Sequence, residues 1–226
     1  MHTVDEALLA DARRVLAGHA GLRFILGGAG TGKSSVCAAL AARHGLEILD
    51  MDARLYGSWH GRFDAIRHPA NHAWSSAVDP LAWQVALEPG AFLAFHEAAT
   101  AEALDLLADE LRGADPARPL VVDGGFGSVA VVARAVPASS IVCLALPPDL
   151  AATVWTGDEE RRGFLDVVAG IEGQKDSVGR FLALDAAMSA RMVVDAHAAG
   201  VTVIERQGDE AVGLTAARVA EMLGLA

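Results

Sequence analysis

An apolar run, Leu22 to Leu26, feeds directly into Gly27-Gly28-Ala29-Gly30-Thr31-Gly32-Lys33-Ser34 and then into a helical pattern reaching about Arg43. This stretch constrains the fold more than any other. The run reads as a buried strand, and the glycines let the backbone turn so tightly that successive N–H groups face one point. The spacing satisfies G-x-x-x-x-G-K-[ST], in which such a turn cradles nucleotide phosphates at a helix N-terminus. Only two lysines occur, Lys33 and Lys175, against sixteen arginines, yet one of them fills the required slot. Gly28, Ala29, Gly30, Thr31, Gly32, Lys33, Ser34 and Ser35 are therefore the candidate nucleotide-binding residues. Lys33 would neutralise the β- and γ-phosphates, and the Ser34 hydroxyl would sit on Mg²⁺.

The rest of the chain alternates in the same way. Leu46–Leu49, Leu120–Asp123, Ile141–Leu146 and Val201–Glu205 read as further strands, separated by helical patterns. Alternation of this kind predicts an α/β fold with a doubly wound, mostly parallel five-stranded sheet, and ligands at the carboxyl ends of the strands. A helix over residues 3 to about 17, with Thr3 as N-cap, precedes the first strand. Residues 53–118 form a long gap between the second and third strands, strongly helical from Ala91 to Arg112. The 226 residues suit one domain, with a core over 20–52 and 119–226 and an insertion over 53–118. Helical segments from about Asp149 to Ala199 are interrupted near Gly157, Gly163 and Gly173, and a closing helix runs from Asp209 onward.

The net charge of −11 disfavours a general nucleic-acid surface, so any anion site has to be a local basic pocket. No apolar run is long enough to span a membrane, and no leader-like pattern opens the chain. Cys37 and Cys143 lie in apolar surroundings, which suits reduced thiols in a cytoplasmic protein.

Two acidic features follow strands. Asp123 ends the third strand, where a carboxylate would hold Mg²⁺ opposite Ser34. Asp50-Met51-Asp52 follows the second. At i and i+2 on a strand end the two carboxylates would share a face toward the phosphates. Asp52 would accept the proton of an attacking hydroxyl, with Asp50 assisting the metal or the acceptor. An acidic loop that caps the next helix is the plainer alternative. Arg54, Arg62 and Arg67 then form a basic patch with only Asp64 among them, suited to an anionic acceptor. Tyr56, Trp59, Trp74 and Trp83 share the segment, either to stack on a ring-bearing acceptor or to anchor the insertion to the core. His60, His68 and His72 lack the spacing of a metal site.

GGAGTGKSS at 27–35, LDMDARLYG at 49–57 and VVDGGFG at 121–127 together resemble the P-loop small-molecule kinases. Shikimate, gluconate and adenylylsulfate kinases carry a similar Asp-x-Asp after the second strand. Shikimate kinases have a Gly-Gly-Gly turn after the third, like Gly124-Gly125 here, although Phe126 stands at its third position. Nucleoside and nucleotide kinases share the general plan. The resemblance covers the nucleotide core and not residues 53–118. It implies ATP and Mg²⁺ as cofactors, a small-molecule hydroxyl acceptor, acceptor contacts at Gly124 and Gly125, and a lid over about 156–164. Within Asp158-Glu159-Glu160-Arg161-Arg162, Arg161 and Arg162 would close over the phosphates. Arg206, Gln207 and Gly208 would pass the adenine ring. A guanine switch would need N-K-x-D, but Gly32 and Gln174 precede the two lysines. A mechanical ATPase usually has a glutamate after the strand-end aspartate, where Gly124 stands.

Overall fold

The computed structural model describes residues 2–225 apart from 158, 208 and 209. Five strands, β1 (Leu22–Gly27), β2 (Glu47–Asp50), β3 (Leu120–Asp123), β4 (Ile141–Ala145) and β5 (Thr202–Glu205), form one all-parallel sheet. Their spatial order is β2-β3-β1-β4-β5. Parallel strands need crossovers, which helices supply, so both sheet faces are covered and the strands read as unbroken apolar runs.

Eleven α-helices occur among the described residues: α1 (Glu6–Leu16), α2 (Lys33–His44), α3 (Met51–Ala53), α4 (Pro69–Ser75), α5 (Pro80–Val85), α6 (Pro89–Leu111), α7 (Val129–Ala135), α8 (Pro148–Thr153), α9 (Glu159–Ala169), α10 (Ser177–Ala198) and α11 (Val212–Met222). A π-helical turn, Arg54–Ser58, continues α3. Alternate strand residues serve opposite faces. Phe24, Leu26, Leu120, Val122 and Cys143 join α1, α6, α7 and α10 in one core. Ile25, Val121, Val142 and Leu144 join α2 and α11 in the other. The sheet is thus doubly wound. The onward connections of the neighbouring strands β1 and β3 run over opposite faces, so a crevice opens between their carboxyl ends.

Several details differ from the sequence reading. Asp5, not Thr3, caps the first helix, its Oδ1 accepting the Leu8 N–H at 3.0 Å. Gly163 interrupts nothing and lies inside α9. A single interior glycine costs only about 1 kcal/mol against alanine, too little to break a helix. The expected lid segment is therefore a turn followed by the first part of α9, with Asp158 outside the described residues. The closing helix begins at Val212, and Gly208 and Asp209 also lie outside the described residues. Among the described residues, no helix is long and apolar enough to cross a membrane.

Candidate active site

The glycine-rich loop leaves β1 at the crevice and delivers Lys33 into the first turn of α2. Gly28 is required there by close approach from α10, because a Cβ would fall 2.1 Å from Ser189 Oγ. The Gly28 carbonyl accepts from Thr31 Oγ1 at 2.9 Å and from Lys33 Nζ at 2.8 Å, which ties the loop into a closed ring. Ser34 and Ser35 are exposed at the start of α2.

Three carboxylates act on Lys33: Asp52, Asp123 and Asp185. Burial lowers the lysine's pKa, and the carboxylates work against that shift. Asp123 pairs in register with Asp50 on β2 and Ile25 on β1, and it is 9% exposed. Its Oδ1 is buried with no hydrogen-bond partner. An orphaned carboxylate oxygen close to Lys33 fits a hard divalent cation, which takes oxygen ligands and keeps several waters. Among the described residues, no three His, Cys, Asp or Glu side chains gather as a metal cage. A phosphate-bound Mg²⁺ needs only one or two protein ligands.

Asp50 and Asp52 do not share a face. The chain turns helical at Met51, and at about 100° per residue positions i and i+2 point apart. Asp50 becomes the N-cap of α3, its Oδ1 accepting the Ala53 N–H at 2.9 Å. Asp52 alone faces the crevice, beside Lys33 and the turn after β3. Surrounding protein raises its carboxyl pKa, with Asp50 and Asp123 adding and Lys33 opposing. Gly124 and Gly125 form that turn, both with positive φ. A Cβ on Gly124 would lie 3.2 Å from Lys33 Cε, and one on Gly125 would lie 2.2 Å from the Cβ of Met51.

The basic patch expected of Arg54, Arg62 and Arg67 does not form. Helix α6 passes back beneath them and presents Asp105, Asp109 and Glu110. Arg54 Nε donates to Glu110 at 3.1 Å, and Arg62 bridges Asp109 and Glu110 at 3.4 and 3.5 Å. Arg67 forks onto Asp105 with two bonds of 2.7 Å. Partners 38 to 56 residues away are invisible to local charge counting. His68 belongs to the same network. Its Nδ1 accepts the Asp64 N–H at 3.2 Å, so Nε2 carries the hydrogen that faces Asp105 at 3.0 Å. His72 faces the Phe63 carbonyl at 2.9 Å, and His60 packs edge-on to Trp74.

Other arginines do approach the loop. Arg161 donates to the Val154 carbonyl at 3.1 Å, and its guanidinium lies 3.1 Å from where a Gly30 Cβ would stand. Arg206 comes within 2.8 Å of a Cβ on Gly32. Arg162 instead donates to the Thr156 carbonyl at 2.9 Å.

A cleft of about 340 Å³ runs from Gly28, Lys33 and Asp52 between the insertion and α10. Of the aromatic candidates, Tyr56 and Trp74 line it, whereas Trp59 is fully buried against Glu110 and Trp83 packs on Phe95. Four further lining residues escaped the sequence reading: His96, Thr100, Trp155 and Asp185. Asp185 accepts from Trp155 Nε1 at 2.9 Å, and burial raises its carboxyl pKa. A signal for it existed, since it shares a helical stripe with Phe181, Met188 and Met192. A carboxylate in an apolar stripe asks for a reason. No protein-family model and no curated protein matches this chain.

Proposed function

We propose that the glycine-rich loop is a P-loop and that the protein is an ATP- and Mg²⁺-dependent phosphotransferase acting on a hydroxyl of a small molecule. One observation carries this reading. Lys33, Asp52 and the orphaned Asp123 oxygen converge at the β1/β3 crevice, and Lys33 and Asp52 line a cleft large enough for a second substrate. A loop built only to hold nucleotide has no use for that cleft.

In this reading the N–H groups of Gly28 to Ser34 and the Lys33 ammonium hold the phosphates, and Lys33 exchanges its bond to Gly28 for phosphate oxygens. Ser34 and Asp123 would hold the metal, which would supply charge neutralisation at the phosphates. Asp52 orients the acceptor hydroxyl and takes its proton. The acceptor oxygen bonds to the γ-phosphorus as the bond to the bridging oxygen of the departing ADP breaks. Arg161, beside Gly30, offsets charge on the transferring group, and residues 156–164 act as the lid that excludes water. Arg206 flanks the loop on the side of the base. ATP chemistry of this kind belongs in the cytoplasm, where Cys37 and Cys143, both free and buried, stay reduced.

The test is Lys33→Ala, scored by ADP release with and without candidate alcohols. Loss of one oriented cation is expected to lower turnover by about 10²–10⁴ while the circular dichroism spectrum is unchanged. Near-normal turnover in the variant would end the proposal.

A further inference from the structure

The cleft beyond Lys33 is charged at one end only. Its charged lining residues are Lys33, Asp52 and Asp185, which cluster together. No arginine lines it. Arg54, Arg62 and Arg67 are paired with α6, and Arg180 donates to the carbonyls of Val85, Ala86 and Leu87. The two carboxylates are also engaged, because Asp52 acts on Lys33 while Asp185 binds Trp155 and acts on Lys33 and Arg161.

The body of the cleft is aromatic. Tyr56, which is 66% exposed, and the buried Trp74 meet edge to face at 5.3 Å on the insertion side. Trp155 and Phe181 meet the same way at 4.7 Å on the α10 side. Both pairs line the one cleft, and such aromatic surfaces suit a ring-bearing ligand. Polar groups are few, and two lack partners: His96 Nε2 and Thr100 Oγ1 are buried without hydrogen bonds. They stand four residues apart on α6, one above the other on one helix face. Buried polar atoms left unpaired in a folded protein call for a reason; both atoms are covered, and a ligand in this cleft provides one once the two side chains turn toward it. Burial keeps His96 neutral, pushing its pKa down to about 4.

Resting on the phosphotransferase reading, we infer that the acceptor is an uncharged, ring-bearing alcohol. Its ring lies against the Tyr56–Trp74 and Trp155–Phe181 pairs, and a second neutral polar group bonds to His96 and Thr100. Lys33, the lining cation, and Arg161 near it stand at the phosphate end, so an anionic group on the ring beyond them would meet an apolar wall.

Three phenyl-bearing alcohols test this in the intact protein: N-acetylphenylalaninol, which is neutral, phenylalaninol, a cation, and 3-phenyllactate, an anion, with neutral 2-phenylethanol as the small control. Binding is read without nucleotide, by calorimetry and by quenching of tryptophan fluorescence. The neutral probe is expected to bind at least about tenfold more tightly than either charged one. Trp74→Phe should weaken the neutral probe only mildly and Trp74→Ala by about tenfold. His96→Phe should weaken N-acetylphenylalaninol but not 2-phenylethanol, which lacks the amide. Preference for the anion, preference for the cation, or no saturable binding of the neutral probe would each overturn the inference. ATP is then added and ADP scored. Neutral-probe binding without ADP release would leave the acceptor class standing and sink the phosphotransferase reading. ADP release driven only by the anion would do the reverse.

Discussion

Gly125→Ala tests how the turn after β3 holds Asp52 in place. Gly125 has φ +71°, and an added Cβ would fall 2.2 Å from the Cβ of Met51 and 3.2 Å from its backbone. Met51 is fully buried and precedes Asp52 in α3, so it cannot yield without moving the candidate base. Gly45 is the matched control. It ends α2 with φ +67°, and a Cβ there would meet nothing within 4 Å. The left-handed backbone costs an alanine about 1–2 kcal/mol at either position, offset by about 0.4–1 kcal/mol from a stiffer unfolded chain. Gly45→Ala is therefore expected to cost about 1 kcal/mol. Gly125→Ala adds overpacking of about 1–3 kcal/mol, for a total of about 2–4 kcal/mol. In a domain of this size the extra cost lowers Tm by roughly 2–4 °C per kcal/mol. Urea unfolding of both variants, with m-values compared, reads the difference directly. Equal destabilisation of the two would show that Met51 does not buttress the turn and would refute the reasoning.

Asp52→Asn is expected to lower kcat by about 10²–10⁴, toward the lower end because a loose phosphoryl-transfer state asks little of its base. Asp50→Asn, still able to cap α3, is expected to remain active; loss of activity there and not in Asp52→Asn would reverse their roles. Because Asp52's folded pKa is raised, its stabilising contribution is present in acid and lost as pH rises through that value. Asp52 is exposed, so solvent screening keeps that contribution small, while kcat/KM of the natural protein is expected to fall as pH drops through an acidic limb above the usual carboxylate range. An unchanged limb in the variant would argue against Asp52 as base. Asp105→Ala strips Arg67 and the buried His68 of their shared carboxylate and is expected to cost about 2–4 kcal/mol. Arg62→Ala, in a largely exposed pair, is expected to cost less than about 1 kcal/mol. Similar losses in the two, measured by the same urea titration, would refute the distinction.

The sequence alone determined what depends on neighbours along the chain. Apolar runs marked all five strands to within about a residue: β1, β3 and β4 are buried on both faces and have few polar positions, and the more exposed edge strands β2 and β5 still carry short apolar runs. The glycine spacing marked the loop and Lys33, because backbone turns are local. Tertiary structure decided everything that depended on what lies across the fold. Arg54, Arg62 and Arg67 read as a free patch until α6 brought its carboxylates beneath them. The Asp50–Asp52 pair parted because the chain left the strand at Met51, changing its period from two residues to 3.6. The cleft walls drew Trp74, His96, Trp155 and Asp185 from four separate stretches, each of which by itself reads as ordinary helix or turn. Local propensity is written in adjacent residues, whereas the pairing of a charge and the filling of a cavity are settled only when distant segments meet.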